Sequence, residues 1–425
     1  MNYVEGIADS ARLYLQESMR PGLTPDKELE LITEAERLGE ASYTLMQWVA
    51  GADASQIPHQ IVGPFQHIVK KLGITNDIFF RSEHLPNYEL GPDDSGKNYQ
   101  TLTYLAPTLK KAIGEINWPI LRVTVPGHAM GMLPHFAVVN HELGHAIQGR
   151  IQFDEAPFQH DLQQFGQRLG ARVQKESINW SAKASSLIQA IYNRWLNEIR
   201  ADAVAYALSG PSFFFAFCGF IQLSGKSYGI APTHPPTDIR RSLIFREMSK
   251  ENPSFLAVFK AETGMEITET INSPGVPSCP PPDQLYADIV PLFGREAAAI
   301  CTELAPAIAV IGPAIFDAAR DYIIAHCPDL LYSPTQLQVD LSTHLEALCN
   351  LIPPIESPGP NGPEPTSLST ILNVGWAALL TRTDKISAPV GKSGDETANK
   401  LERLHELLLK ATELSDARRI WEETK

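Results

Sequence analysis

Apolar side chains recur at three- and four-residue steps along much of the chain, the spacing of a helix with one buried face. Leu29, Leu31, Ile32, Ala35, Leu38, Ala41 and Leu45 form the first such series. Thr24-Pro25-Asp26 supplies its start, with Pro25 where no amide donor is needed, and Gly51 supplies a stop. A shorter helix is expected over Phe65 to Leu72. Tyr88 to Asn98 contains Gly91-Pro92-Asp93-Asp94-Ser95-Gly96 and reads as an exposed loop. The pattern then changes period. Ile120 to Val125 is short, rich in β-branched residues and closed by Pro126-Gly127, so a strand is expected there.

Two helices dominate the middle third. Pro134 opens one that should reach Gln148, with Gly149 as its stop, and a second should run from Ala184 to Ser209, ended by Gly210-Pro211. Ser224 to Thr237 reads as a loop. In the last third, the prolines of Asn272 to Gln284 argue against regular structure. Ile352 to Pro365 holds six prolines and two glycines and reads as a linker or extended arm. Ser367 to Thr383 and Ala398 to Glu423 look helical. The expected class is mainly α with a small β-sheet, an α+β chain. Its expected parts are a helical region at residues 1–100, a catalytic core at 101–250, and a helical region at 251–425 carrying the Pro-rich linker 352–365.

Composition narrows the partners. A chain of 425 residues with 44% hydrophobic content can bury a large core. Its formal net charge of −14 disfavours nucleic acid, which needs a basic footprint. No basic cluster suits an anionic membrane surface. Met1 to Leu15 lacks the charged-then-apolar layout of a signal peptide. The uncharged stretch Ala203 to Leu223 is broken by Ser209-Gly210-Pro211, so a buried helix pair is expected there rather than a membrane span. The five cysteines, Cys218, Cys279, Cys301, Cys327 and Cys349, are odd in number and show no CxxC spacing. That fits a reducing cytoplasm better than a disulfide framework.

The chemistry concentrates in His141-Glu142-Leu143-Gly144-His145. Histidines four apart lie on one helical face, so both imidazoles can reach one ion. Glu142 is one step round and can take a proton from a water beside that ion. A catalytic zinc usually takes three protein ligands and leaves one position open. The second long helix offers Asn197-Glu198-Ile199-Arg200-Ala201-Asp202, with Glu198 and Asp202 again on one face. Glu198 can be the third ligand, and Asp202 can accept a hydrogen bond from the free ring nitrogen of a ligand histidine.

These two motifs resemble the gluzincin zinc metallopeptidases. Within that clan they are most similar to the family of the CAAX prenyl endopeptidase and the bacterial heat-shock membrane protease. The resemblance covers roughly Ile120 to Leu243 and implies a zincin-like core holding one Zn2+ per chain. It implies His141, His145 and Glu198 as ligands, Glu142 as general base, and Asp202 as the carboxylate behind His141. It departs where those relatives carry membrane-spanning helices, which are not expected here, so their substrates do not transfer. Many members also have a His-Pro followed by an Arg, as in His234-Pro235 and Arg240 here. An oxyanion formed on an amide needs a donor, and His234, Arg240 and Tyr228 are the candidates in that order.

The expected activity is that of a soluble zinc metalloendopeptidase acting on a peptide or protein. The alternatives are a zinc hydrolase of a non-peptide amide or ester, or a silent zinc-stabilised scaffold. Nothing in the sequence sets the oligomeric state. Several features carry weaker expectations. The strand Ile120 to Val125 could offer a free edge to an extended substrate. His128 and His135 flank the motif helix and could line a cleft. Val276-Pro277-Ser278-Cys279-Pro280 resembles a zinc-blocking cysteine segment without its basic neighbour. Phe213-Phe214-Phe215-Ala216-Phe217 reads as core or as part of an apolar substrate pocket.

Overall fold

The computed structural model describes residues 2–51, 58–75, 78–83, 89–91, 121–126, 132–224, 229–263, 267, 280–359, 362–387 and 395–424. The chain is mainly α-helical with two small sheets. It divides into two compact units, one of Met1–Val62 with Gly73–Met130, the other of Gly63–Leu72 with Gly131–Lys425.

In the first unit, helix α1 (Asn2–Ser18) packs on α2 (Pro25–Gly51). The Lys27 amide donates to Thr24 Oγ1 at 3.4 Å, as a cap before Pro25 should. Helix α3 (His59–Lys71), which from Gly63 onward belongs to the second unit, begins six residues before the expected start and runs through Pro64, burying both Ile61 and Phe65. Strands β1 (Ile78–Glu83), β2 (Glu89–Gly91) and β3 (Leu121–Pro126) form one sheet in the order β1-β3-β2. β3 is parallel to β1, with Ile78 opposite Leu121, and antiparallel to β2, with Glu89 opposite Thr124. The strand expected near Ile120 to Val125 therefore forms, but it is the central strand. Both of its edges are paired, so the expected free edge for a substrate is corrected: a strand whose amides and carbonyls already bond two neighbours has none left over. β2 lies in the segment expected to be a loop. Three residues can pair through main-chain groups alone, which no side-chain pattern announces.

The second unit carries the motif helices. A 3-10 segment, Leu133–Val138, leads into α4 (Val139–Ile147), and a second 3-10 turn, Gln148–Arg150, follows it. The single helix expected from Pro134 to Gln148 is thus split into a tighter and a normal part. Next come α5 (Gln159–Lys175), α6 (Ala184–Ser209) and α7 (Pro211–Ser224). α6 has the expected boundaries, and Gly210 explains its end. This residue has φ +61°, and a Cβ there would stand 2.7 Å from the Tyr332 ring.

The remaining helices are α8 (Thr237–Glu251), α9 (Pro253–Thr263), α10 (Pro282–Phe293), α11 (Arg295–His326), α12 (Pro334–Cys349), α13 (Leu368–Thr381) and α14 (Glu396–Glu423). Pro282 starts α10 rather than forbidding it, because the first position of a helix needs no amide donor. Within the Pro-rich segment, β4 (Glu356–Gly359) and β5 (Gly362–Pro365) pair antiparallel. α6 lies at the centre, against α4, α7, α8, α11 and α13. Among the described residues one helix, α11, is long and apolar enough to cross a membrane; most of its apolar stretch is buried within the fold.

Candidate metal centre

The site is built where α4 crosses α6. Their backbones meet closely at Gly144, where a Cβ would lie 2.8 Å from Ala201 Cα and 2.9 Å from its carbonyl oxygen. Only glycine permits that approach. It brings the histidines of α4 over the carboxylates of α6, on helices separated by nearly forty residues of chain.

His141 Nε2 and His145 Nε2 are 3.1 Å apart. Glu198 Oε2 is 3.5 Å from the first and Oε1 is 3.4 Å from the second. Tetrahedral coordination with bonds of about 2.0–2.1 Å spaces neighbouring ligand atoms about 3.3 Å apart. The three side chains therefore already stand at the edges such an ion requires. The other ring nitrogens support the same view. His141 Nδ1 lies 2.8 Å from Asp202 Oδ1, and His145 Nδ1 lies 3.1 Å from Gln148 Oε1. Protons on both Nδ1 atoms leave the two Nε2 lone pairs and a carboxylate facing one another, which costs energy unless a cation sits among them. Glu198 Oε2 is buried without a hydrogen-bond partner. His141, His145 and Glu198 thus form a buried group able to hold a metal ion, compatible with an HExxH-type zinc site.

Charge is balanced tightly here. Burial works against the His141 imidazolium, but Asp202 and Glu198 outweigh it and push the group up to about 10. Burial would raise Glu198 and Asp202, yet Arg240 and His141 hold both below the usual carboxylate range. Arg240 Nε and Nη2 grip the two Asp202 oxygens at 2.7 Å each, and Nη1 lies 3.3 Å from Glu198 Oε2. Its guanidinium also stands 4.9 Å over the Phe217 ring. Arg240, expected as the second candidate for an oxyanion donor, thus pairs with two carboxylates of α6. His234 is placed differently. Its Nε2 is 3.6 Å from Glu198 Oε1, and its side chain is 49% exposed against 10% for Glu198. It borders the site on the solvent side. Tyr228, His128 and Cys279 lie outside the described residues.

Glu142 is buried on α4 next to His141, and its charge acts on Arg240. The phenylalanine run 213–217 is buried, with Phe213 stacked on His141 at 6.3 Å between ring centres. Phe213 and Phe217 back the site, whereas Phe214 packs on Phe245 and Phe215 on Phe255 in the core. His135 packs edge-on to Trp376 at 5.1 Å. Sequence reasoning overlooked Gln148 and Asn140. Gln148 could have been found from its position three residues after His145. Asn140 donates to Ser209 Oγ at 2.6 Å and ties α4 to the end of α6, a pairing no local spacing reveals. No protein family, curated protein or solved structure matches this chain.

Proposed function

We propose that the chain is a zinc metallopeptidase of gluzincin type that hydrolyses peptide bonds. The observation that carries this reading is the triangle of His141, His145 and Glu198, with edges of 3.1, 3.4 and 3.5 Å and a buried glutamate one residue from a vertex. Zinc held there would supply Lewis acidity, acidifying a water and polarising the scissile carbonyl. Glu142 takes the water's proton on its carboxylate and returns it to the leaving amine nitrogen. His234, facing solvent beside Glu198, donates to the oxyanion as it develops. Asp202 keeps the His141 proton on Nδ1, and Arg240 keeps Asp202 and Glu198 ionised. A scaffold would need no general base, so Glu142 favours an enzyme over a silent zinc-stabilised fold. A cytoplasmic location is proposed on the odd, unspaced cysteines alone.

The test combines metal analysis of the purified chain with cleavage of an unstructured protein, with and without a chelator. We expect close to one zinc per chain and cleavage that the chelator abolishes. Glu142→Gln should keep the metal and lose about 10²–10⁴-fold in rate. Native cleavage by that variant would exclude the mechanism. Turnover of small amides or esters without cleavage of any peptide would transfer the site to non-peptide hydrolysis.

A further inference from the structure

The two ligand-bearing helices are held by side chains from a part of the chain that supplies no ligand. α4 is only nine residues long, and no side chain of its own caps its start or that of the 3-10 segment before it. Its approach is fixed instead from the carboxy-terminal helices. The Leu133 amide donates to His405 Nδ1 on α14 at 2.9 Å, and Trp376 Nε1 on α13 donates to the Pro134 carbonyl at 3.0 Å. The far end of α6 is gripped by the same α13. Asn373 Nδ2 donates to the Ser209 carbonyl at 2.6 Å, and Asn373 Oδ1 accepts at 2.8 Å from the Ser212 amide at the start of α7. The Leu133 and Ser212 amides and the Ser209 carbonyl are end groups that a helix leaves without internal partners, while the Pro134 carbonyl is an added anchor at the start of the 3-10 segment. Asn373 and Trp376 are three residues apart and so share one face of α13. Between them, Gly375 lets the helix close in: a Cβ there would stand 2.7 Å from Leu408 and 3.1 Å from Pro134.

We propose that α13, with His405 of α14, is the positioning element of the metal centre. Asn373 sets the end of the Glu198 helix, while Trp376 and His405 set the entry to the His141–His145 helix. One rigid face thereby fixes how the two ligand sets meet. This rests on the metal reading above. A metal site loses affinity when its ligands sit more than about 0.5 Å from the required positions, so register between α4 and α6 decides binding.

The test is a Co2+ titration of the full chain, followed by visible absorption and by the metal-free unfolding temperature. Trp376→Phe keeps a ring beside His135 and Phe215 and removes only the indole donor. His405→Leu removes the acceptor, and His405→Asn restores one. Leu372→Val, at a fully buried α13 position that carries none of these donors or acceptors, is the stability control. We expect Trp376→Phe and His405→Leu to weaken Co2+ binding about tenfold and to alter the absorption bands. His405→Asn should recover most of the affinity, and Leu372→Val should lower the unfolding temperature with native Co2+ affinity. Native affinity and bands in both Trp376→Phe and His405→Leu would overturn the proposal, as would losses no larger than in Leu372→Val. If His405→Leu does not fold, Trp376→Phe on the other helix decides alone. A wild-type chain that takes up no Co2+ removes the metal reading and this proposal together, which separates that failure from a failure of positioning alone.

Discussion

His141 has a carboxylate near each ring nitrogen, Asp202 at 2.8 Å from Nδ1 and Glu198 at 3.5 Å from Nε2. That surrounding demands a cation, and in the absence of a metal the cation is a proton. Burial opposes the imidazolium, the two carboxylates win, and the group is pushed up to about 10. A metal ion must therefore expel a proton from His141 at neutral pH. Protonated His141 competes below about 10, so rising pH strengthens metal binding until that point and no longer adds to it beyond. We expect the logarithm of the metal association constant to climb by about one per pH unit through the neutral range, with about one proton released per ion. Titration in buffers of different ionisation enthalpy measures that release. A proton count near zero would show that His141 is neutral before metal arrives, and the charge balance described for Asp202 and Glu198 would then be wrong.

The meeting of α4 and α6 depends on one small residue. Gly144 stands against the Ala201 backbone, so Gly144→Ala must push the helices apart and open the triangle. The expected cost is about 1–3 kcal/mol of stability, the usual penalty of overpacking, and a weakened metal site. Thermal unfolding with and without added zinc checks both; a variant with native metal affinity would mean that the triangle does not depend on this contact. The motif helices were legible in the sequence because their signals are local: histidines four apart, a Glu/Asp pair four apart, and a Gly-Pro stop after Ser209. Their convergence was supported only by the resemblance. Other elements escaped for physical reasons. The 3-10 entry at Leu133–Val138 is fixed by bonds from Trp376 and His405, more than two hundred residues away. Arg240 suggested an oxyanion donor because its spacing from His234 matched a family pattern. Spacing does not reveal that Asp202 and Glu198 occupy its guanidinium.

The residues of the candidate metal site fall between positions 141 and 240, but the core that supports them does not. α6 presents buried residues on most of its circumference from Trp195 to Ser209, and α11 covers much of it. Ile300, Ile308, Ile311, Ile315 and Ile323 of α11 are each fully buried. At about 1.5–3 kcal/mol for each buried side chain, these five contribute roughly 7–15 kcal/mol. That equals the entire net stability of a typical domain, about 5–15 kcal/mol. A fragment of residues 101–250 contains every candidate ligand and lacks this cover, together with the α13 face that grips Ser209 and Pro134. We therefore expect it to show no cooperative unfolding and no Co2+ absorption bands, whereas the full chain shows both. Circular dichroism on heating and a Co2+ titration distinguish the outcomes. A fragment that melts cooperatively and binds Co2+ like the full chain would mean that the carboxy-terminal helices decorate a self-sufficient site instead of completing it.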